Sequence, residues 1–301
     1  MSICITRPGK NALYVSSPVM PAAGTFGFGN VYRSLLDYDT LGAIVTNPVT
    51  YQPWSPAAGQ RVVALDAGVL MHTGLPNVGL KKVIREFGQV WASLPCPVIV
   101  HLVATNVDDV RKSAATLDHV ESVAAIELGL PDDISWEDAQ KFTTAAVRGA
   151  LEKPVIVRLP LGDAFEIAQS VAEAGAGALV IAAPPRGTAR DKSSGQLVQG
   201  RIYGPLIKPI ALHMVQVLHE RLPDVPIIGA GGIHSIDDAR DYLEVGAVAV
   251  QVDAATWVQP NLLERIARDL AGRLVTRMSD AYPDEWHADM GDTEFRDRFS
   301  D

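Results

Sequence analysis

Eight short apolar runs, rich in Val, Ile and Ala, recur along the chain at 19–22, 42–46, 97–102, 124–128, 154–159, 178–182, 226–229 and 247–252. Their hydrophobicity is continuous rather than alternating, which marks strands buried on both faces and hence a parallel sheet. Between the runs the spacing turns helical: Val107, Val110, Ala114 and Leu117 follow the third, and Phe165, Ala168, Val171 and Ala172 follow the fifth. Asp163 and Ser235 occupy N-cap positions, and Gly175 and Gly246 follow helices as C-caps. The stretches 172–180 and 242–250 read as one helix–turn–strand module used twice. Strands and helices alternating in this way predict an α/β fold, a (β/α)8 TIM barrel. One domain is expected over 1–301, with a barrel core from about 18 to 274 and a tail at 275–301.

Two connections are too long to be simple βα loops, 51–75 after the second strand and 187–203 after the sixth. Both fall on the C-terminal rim, where barrel active sites are built, and are candidate lids. The seventh run ends in Gly231-Gly232. Glycines there let backbone N–H groups approach an anion, and the helix that follows adds its dipole, so a phosphate-bearing ligand is expected.

Of 301 residues, 48% are hydrophobic and 20% charged, an ordinary globular composition, and the formal net charge is -9. No basic run is present, which argues against nucleic acid or an anionic membrane as the main partner and leaves a small molecule. The two cysteines, Cys4 and Cys96, make no disulfide framework and are expected to be reduced and structural. The opening residues lack the apolar core of a signal peptide, and no segment approaches the roughly 18 uninterrupted apolar residues of a membrane span. A cytoplasmic protein without a metal site is expected. The acidic tail with its scattered aromatics is expected on the surface or in an oligomer contact.

The first strand runs Pro18-Val-Met-Pro-Ala-Ala-Gly24-Thr-Phe-Gly-Phe-Gly29 and resembles the opening of the dihydroorotate dehydrogenases, especially their NAD-linked branch. Further matches follow in order: Leu41-Gly-Ala-Ile-Val-Thr46, Gly74-Leu-Pro-Asn77, Ala125-Ile-Glu-Leu128, Pro154-Val-Ile-Val157, Tyr203-Gly-Pro-Leu-Ile-Lys-Pro209 and Ile227-Ile-Gly-Ala-Gly-Gly-Ile233. The resemblance spans about 19 to 270. It implies FMN over the C-terminal mouth of a TIM barrel, with substrate stacked on the ring and hydride passing to flavin N5. Ala23, Gly24, Thr25 and Thr46 would then meet the ring edge, Arg158 the reduced flavin's charge, and Gly204, Gly231, Gly232 and Ala254 the rest of the cofactor. Substrate would meet His72, Gly74, Leu75, Pro76, Asn77 and Arg186. The resemblance also implies a homodimer and allows for an electron-transfer partner subunit.

The departures bear on substrate. Asn47 stands where the family has a lysine, and His72 where it has an asparagine. The family's cysteine-bearing base loop is replaced by Gly129-Leu-Pro-Asp132-Asp133, and an amide-bearing pair after strand six by Ala182-Ala183. Arg158 replaces a lysine, Gly200-Arg201 a Gly-Gly pair, and Asp253-Ala254 a Gly-Thr pair. A carboxylate beside a phosphate is unfavourable unless a cation such as Arg201 intervenes.

The leading expectation is an FMN-dependent oxidoreductase acting on a small anionic or carbonyl-bearing substrate other than dihydroorotate, with Arg158, His72 and Asn47 as its catalytic candidates. One alternative is a genuine dihydroorotate dehydrogenase with a relocated base. Another is a flavin-free barrel, either a binding subunit or a lyase or isomerase acting on a phosphorylated metabolite. Several residues carry plainer expectations beside these. Arg158 pairs with Glu127, His101 is a satisfied core histidine, Ser135 is a helix cap, and Pro131-Asp132-Asp133 is a turn. Arg186, Arg190 and Lys192 either meet a substrate anion or form a solvated loop.

Overall fold

The computed structural model describes residues 2–162 and 164–278. The expected cap Asp163 and most of the tail lie outside them. Eight parallel strands are Val19–Pro21 (β1), Ile44–Val45 (β2), Val98–Val103 (β3), Ala125–Gly129 (β4), Val155–Arg158 (β5), Ala178–Ile181 (β6), Ile227–Ala230 (β7) and Ala249–Val252 (β8). They are ordered β1-β8-β7-β6-β5-β4-β3-β2. The ring closes where the Gly42 N–H donates to the Val19 carbonyl at 2.8 Å. Each strand falls within one residue of, or inside, its apolar run, because both faces of a barrel strand are covered.

Helices Leu80–Ala92, Val107–Asp118, Trp136–Gly149, Ala164–Glu173, Lys208–Arg221, Ile236–Glu244 and Leu262–Met278 surround the barrel. Ser135 and Ser235 cap two of them by accepting the N–H groups of Asp138 and Asp238. Between β1 and β2 the described residues form only the 3-10 turn Tyr38–Thr40. Gly24, Gly27 and Gly29, all at positive φ, turn that connection instead. Both cysteines are free. No helix among the described residues is long and apolar enough to cross a membrane.

Inside the barrel, side chains alternate with a period of two along each strand. Met20, Ile99, Ile156 and Val180 pack with Ile5 and Val15 near the N-terminal hairpin (Ile3–Cys4 with Tyr14–Val15) and seal the floor. One step of two residues from Ile99, Ala125, Ile156 and Ala249 leads to His101, Glu127, Arg158 and Gln251. The apolar floor therefore gives way to a polar layer toward the C-terminal mouth.

The two long connections are not separate lids. Strands Val62–Leu65 and Gly68–Met71 from the first pair with Leu197–Tyr203 and Arg186–Arg190 from the second in one four-stranded antiparallel sheet, with Arg201 opposite Met71 and Tyr203 opposite Val69. Gly204 belongs to this seam: a Cβ there would lie 2.4 Å from the Ala67 carbonyl. Backbone approach is a sufficient reason for its glycine.

Candidate active site

The polar layer is a single hydrogen-bonded network. Glu127 Oε1 accepts from Arg158 Nε at 2.9 Å and lies 2.8 Å from His101 Nδ1, while its Oε2 accepts from Gln251 Nε2 at 2.6 Å. Arg158 also donates through Nη1 to the Ala182 carbonyl at 3.2 Å and through Nη2 to Gln251 Oε1. Burial pushes the Glu127 carboxyl up, but the Arg158 guanidinium, with His101 and Gln251, outweighs it and holds the acid well below its ordinary range. The Arg158–Glu127 pair and the satisfied His101 thus follow the sequence expectation. Gln251 was not anticipated, although a polar residue at an inward position of Ala249-Val-Gln-Val was a signal of the kind that singled out Arg158.

The strand-one turn and the end of β2 come together. Asn47 N–H donates to the Gly27 carbonyl at 2.7 Å, and a Cβ on Gly24 would meet Pro48 Cδ at 3.8 Å. Thr25 returns its hydroxyl to Ala22 O, and Thr46 gives its hydroxyl to Asn47 O while accepting His101 N–H. These two hydroxyls spend their hydrogens on backbone carbonyls and keep acceptor capacity.

The substrate candidates on the insertions have these surroundings within the chain. Asn77 Oδ1 accepts from Thr50 N, Thr50 Oγ1 and Gly79 N, and its Nδ2 donates to Leu75 O, so this amide staples the loop. Gly74 packs its backbone against Ala57, Leu75 adopts φ 52 and is exposed, Pro76 is exposed, and His72 is exposed with its N–H on Arg61 O. Arg186 is engaged within the chain: its Nε lies 2.6 Å from Asp132 and its Nη1 3.0 Å from Asp133. Arg201 Nη1 reaches Asp132 Oδ1 at 2.6 Å and the Pro184 carbonyl at 2.7 Å. Asp132 and Asp133 form the expected turn, and Asp132 is clamped by two arginines. Arg190 turns to the Gly195 carbonyl of its own hairpin and Lys192 lies beside Asp66, so the three basic residues share no focus.

At the β7–β8 corner, Cβ atoms on Gly231 and Gly232 would meet Ile207 Cγ2 at 3.1 Å and Lys208 N at 2.5 Å. Close packing on the helix Lys208–Arg221 requires these glycines, whatever they bind. Ala254 N–H donates to Asp253 Oδ1 at 2.6 Å. The cation expected beside Asp253 is not Arg201, which Asp132 holds; His234 and Arg158 act on it instead. Burial pushes the Asp253 carboxyl up, opposed by the Ala254 N–H, His234 and Arg158. The Tyr203 phenol is pushed up to about 12 by burial and by Asp253, and its ring lies 5.3 Å from that of Trp257.

Two observations test whether FMN fits. Ala22 and Ala23 follow β1, Ala182 and Ala183 follow β6, Ala230 and Gly231 close β7, and Ala254 follows Asp253 after β8, so small residues stand at the C-terminal ends of four adjacent strands. Asn47 Oδ1 and His234 Nδ1 are buried without a hydrogen-bond partner, one after β2 and the other after β7. An arc of small residues flanked by two unsatisfied polar atoms suits a flat group with a polar ring edge and a phosphate tail. His234 escaped the sequence reading, although it directly follows Gly231-Gly232-Ile233.

The sequence profile described as Dihydroorotate dehydrogenase matches residues 11–274. The catalytic subunit of dihydroorotate dehydrogenase B (NAD(+)) of Pelobacter propionicus is 34% identical over 287 residues, covering 89% of this chain and 94% of that protein. Its counterpart in Trichlorobacter lovleyi is 34% identical, over 88% of this chain and 92% of that protein, and that of Geobacter sulfurreducens 33% identical, over 84% and 88%. With the barrel and its polar layer, these matches show that the chain belongs to the dihydroorotate dehydrogenase family of FMN-dependent oxidoreductases.

Proposed function

We propose that the chain oxidises a small anionic, carbonyl-bearing substrate by hydride transfer to bound flavin, and that dihydroorotate is that substrate. The carrying observation is the Arg158 guanidinium, fixed by Glu127, Gln251 and the Ala182 carbonyl beside the arc of small residues. The relatives' names support the genuine dehydrogenase more than the expectation that dihydroorotate has been abandoned. Family membership likewise favours both redox readings over a flavin-free barrel.

Bound FMN supplies the hydride-accepting centre. Arg158 keeps a fixed positive charge where negative charge develops on reduction, without reorganising at that moment. Asn47 Oδ1 offers an acceptor to the ring edge or substrate. The insertion sheet, built from the connections after β2 and β6, stands on the C-terminal rim. Since two arginines engage Asp132, proton removal falls to another group, and His72 on the insertion sheet is the proposed one. The relatives are named catalytic subunits, which supports an electron-transfer partner for this chain, and a homodimer is part of the same reading.

The clamped Asp132 favours a second reading, a related substrate in a remodelled pocket, because no cysteine or free carboxylate stands in the base loop. Anaerobic mixing of the FMN-loaded protein with dihydroorotate separates the two. Flavin bleaching with stoichiometric orotate is expected. Flavin that stays oxidised with dihydroorotate but is bleached by another small carbonyl acid supports the second reading, and bleaching by neither contradicts both.

A further inference from the structure

The corner between β7 and β8 already contains a carboxyl group, that of Asp253. Asp253 is only 5% exposed, and its Oδ1 takes the Ala254 N–H at 2.6 Å, a backbone donor at the place where the fold offers a phosphate its contacts. Among the described residues no cation closes on it to ion-pair distance. The groups that face it come from several elements. Arg158 on β5 is spent on Glu127 and Gln251, and His234 after β7 has a buried, unpartnered Nδ1. Tyr203 on the insertion sheet and Tyr242 on the helix Ile236–Glu244 feel its charge, and Tyr242 gives its hydroxyl to the Gly231 carbonyl. Arg201 acts on Tyr203 but is held by Asp132, and Asp238 is itself an acid, so neither supplies Asp253 with a counter-charge.

Resting on the flavin reading above, we infer that Asp253 is a proton-operated latch on the cofactor's phosphate: the neutral acid admits and hydrogen-bonds the phosphate, and the carboxylate occupies its donor and expels it. An ionised carboxylate and a phosphate cannot share one buried donor, because both only accept and both are negative. A carboxylic acid holds the Ala254 N–H more weakly than a carboxylate does and adds an O–H donor of its own, with His234 Nδ1 as a further polar contact. Burial raises the Asp253 pKa, which brings this proton closer to the working range. Since only the protonated form accepts the phosphate, FMN affinity falls by about tenfold per pH unit above the Asp253 pKa.

The test uses the full-length apoprotein titrated with FMN, and separately with riboflavin, which has the ring but no phosphate, followed by quenching of flavin fluorescence from about pH 6 to about pH 8. Wild type is expected to bind FMN more weakly as pH rises, with a slope that approaches about tenfold per unit once the Asp253 carboxyl is ionised. D253N, which copies the neutral acid, and D253G, which removes it, are expected to bind FMN tightly at every pH and to lose most of that slope. Riboflavin affinity is expected to be independent of pH in all three. FMN uptake by the variants but by wild type at no pH would show exclusion without release on protonation and overturn the latch. A wild-type FMN affinity that is flat with pH, or a slope retained in D253N, overturns the latch and leaves the flavin reading intact. If all three proteins are folded by circular dichroism and none binds either flavin, the flavin reading fails and the latch with it.

Discussion

Replacing Arg158 with methionine is expected to destabilise the protein by about 3–5 kcal/mol, because it strands a fully buried Glu127 carboxylate without its counter-charge. The denaturant midpoint, followed by tryptophan fluorescence, measures this. The double variant R158M/E127Q is expected to recover part of the loss, since the uncompensated charge is gone, and the difference gives the coupling of the pair. The same pair sets a pH dependence. The Glu127 pKa is lowered in the folded state from 4.5, so its contribution is complete above that value and is lost as pH falls below it toward the folded pKa. R158M should lose most of that acid dependence. A cost below about 1 kcal/mol, with the wild-type acid profile unchanged, would mean that the network is not held by this ion pair.

Substituting Gly42 with alanine is expected to cost more than about 4 kcal/mol, an unusually large effect for one methyl group. The added Cβ would lie 2.0 Å from the Ser17 carbonyl oxygen, which is backbone and has no rotamer to escape into. Relief requires moving the segment whose N–H donates to Val19 O at 2.8 Å, the bond that joins β2 to β1 and closes the ring. Thermal unfolding of G42A measures the effect. Near-wild-type stability would show that closure does not depend on this contact.

The barrel was legible because doubly covered strands must be apolar throughout, and runs such as 97–102 and 178–182 carry that requirement openly. The insertion sheet was not. Arg186–Arg190 alternates exposed and half-buried residues, and its pairing with the distant segment Gly68–Met71 through Leu197–Tyr203 depends on contacts that no local pattern records. The site was readable where an inward position broke an apolar run, as at Arg158. It was not legible where a side chain's partner is remote in sequence. Asn77 meets Thr50, Arg186 meets Asp132, and Arg201 is drawn to Asp132 rather than to Asp253. Gly231-Gly232 was read for what it binds, whereas the packing of Ile207 and Lys208 is sufficient reason for both glycines.

The most direct measurement of the central claim is the visible absorption spectrum of the purified full-length protein, before and after incubation with FMN at mildly acidic pH and removal of free flavin. An account in which small residues, Asn47 and His234 receive the cofactor beside Arg158 expects the two flavin bands at about one FMN per chain. A folded protein that stays colourless after that incubation contradicts it.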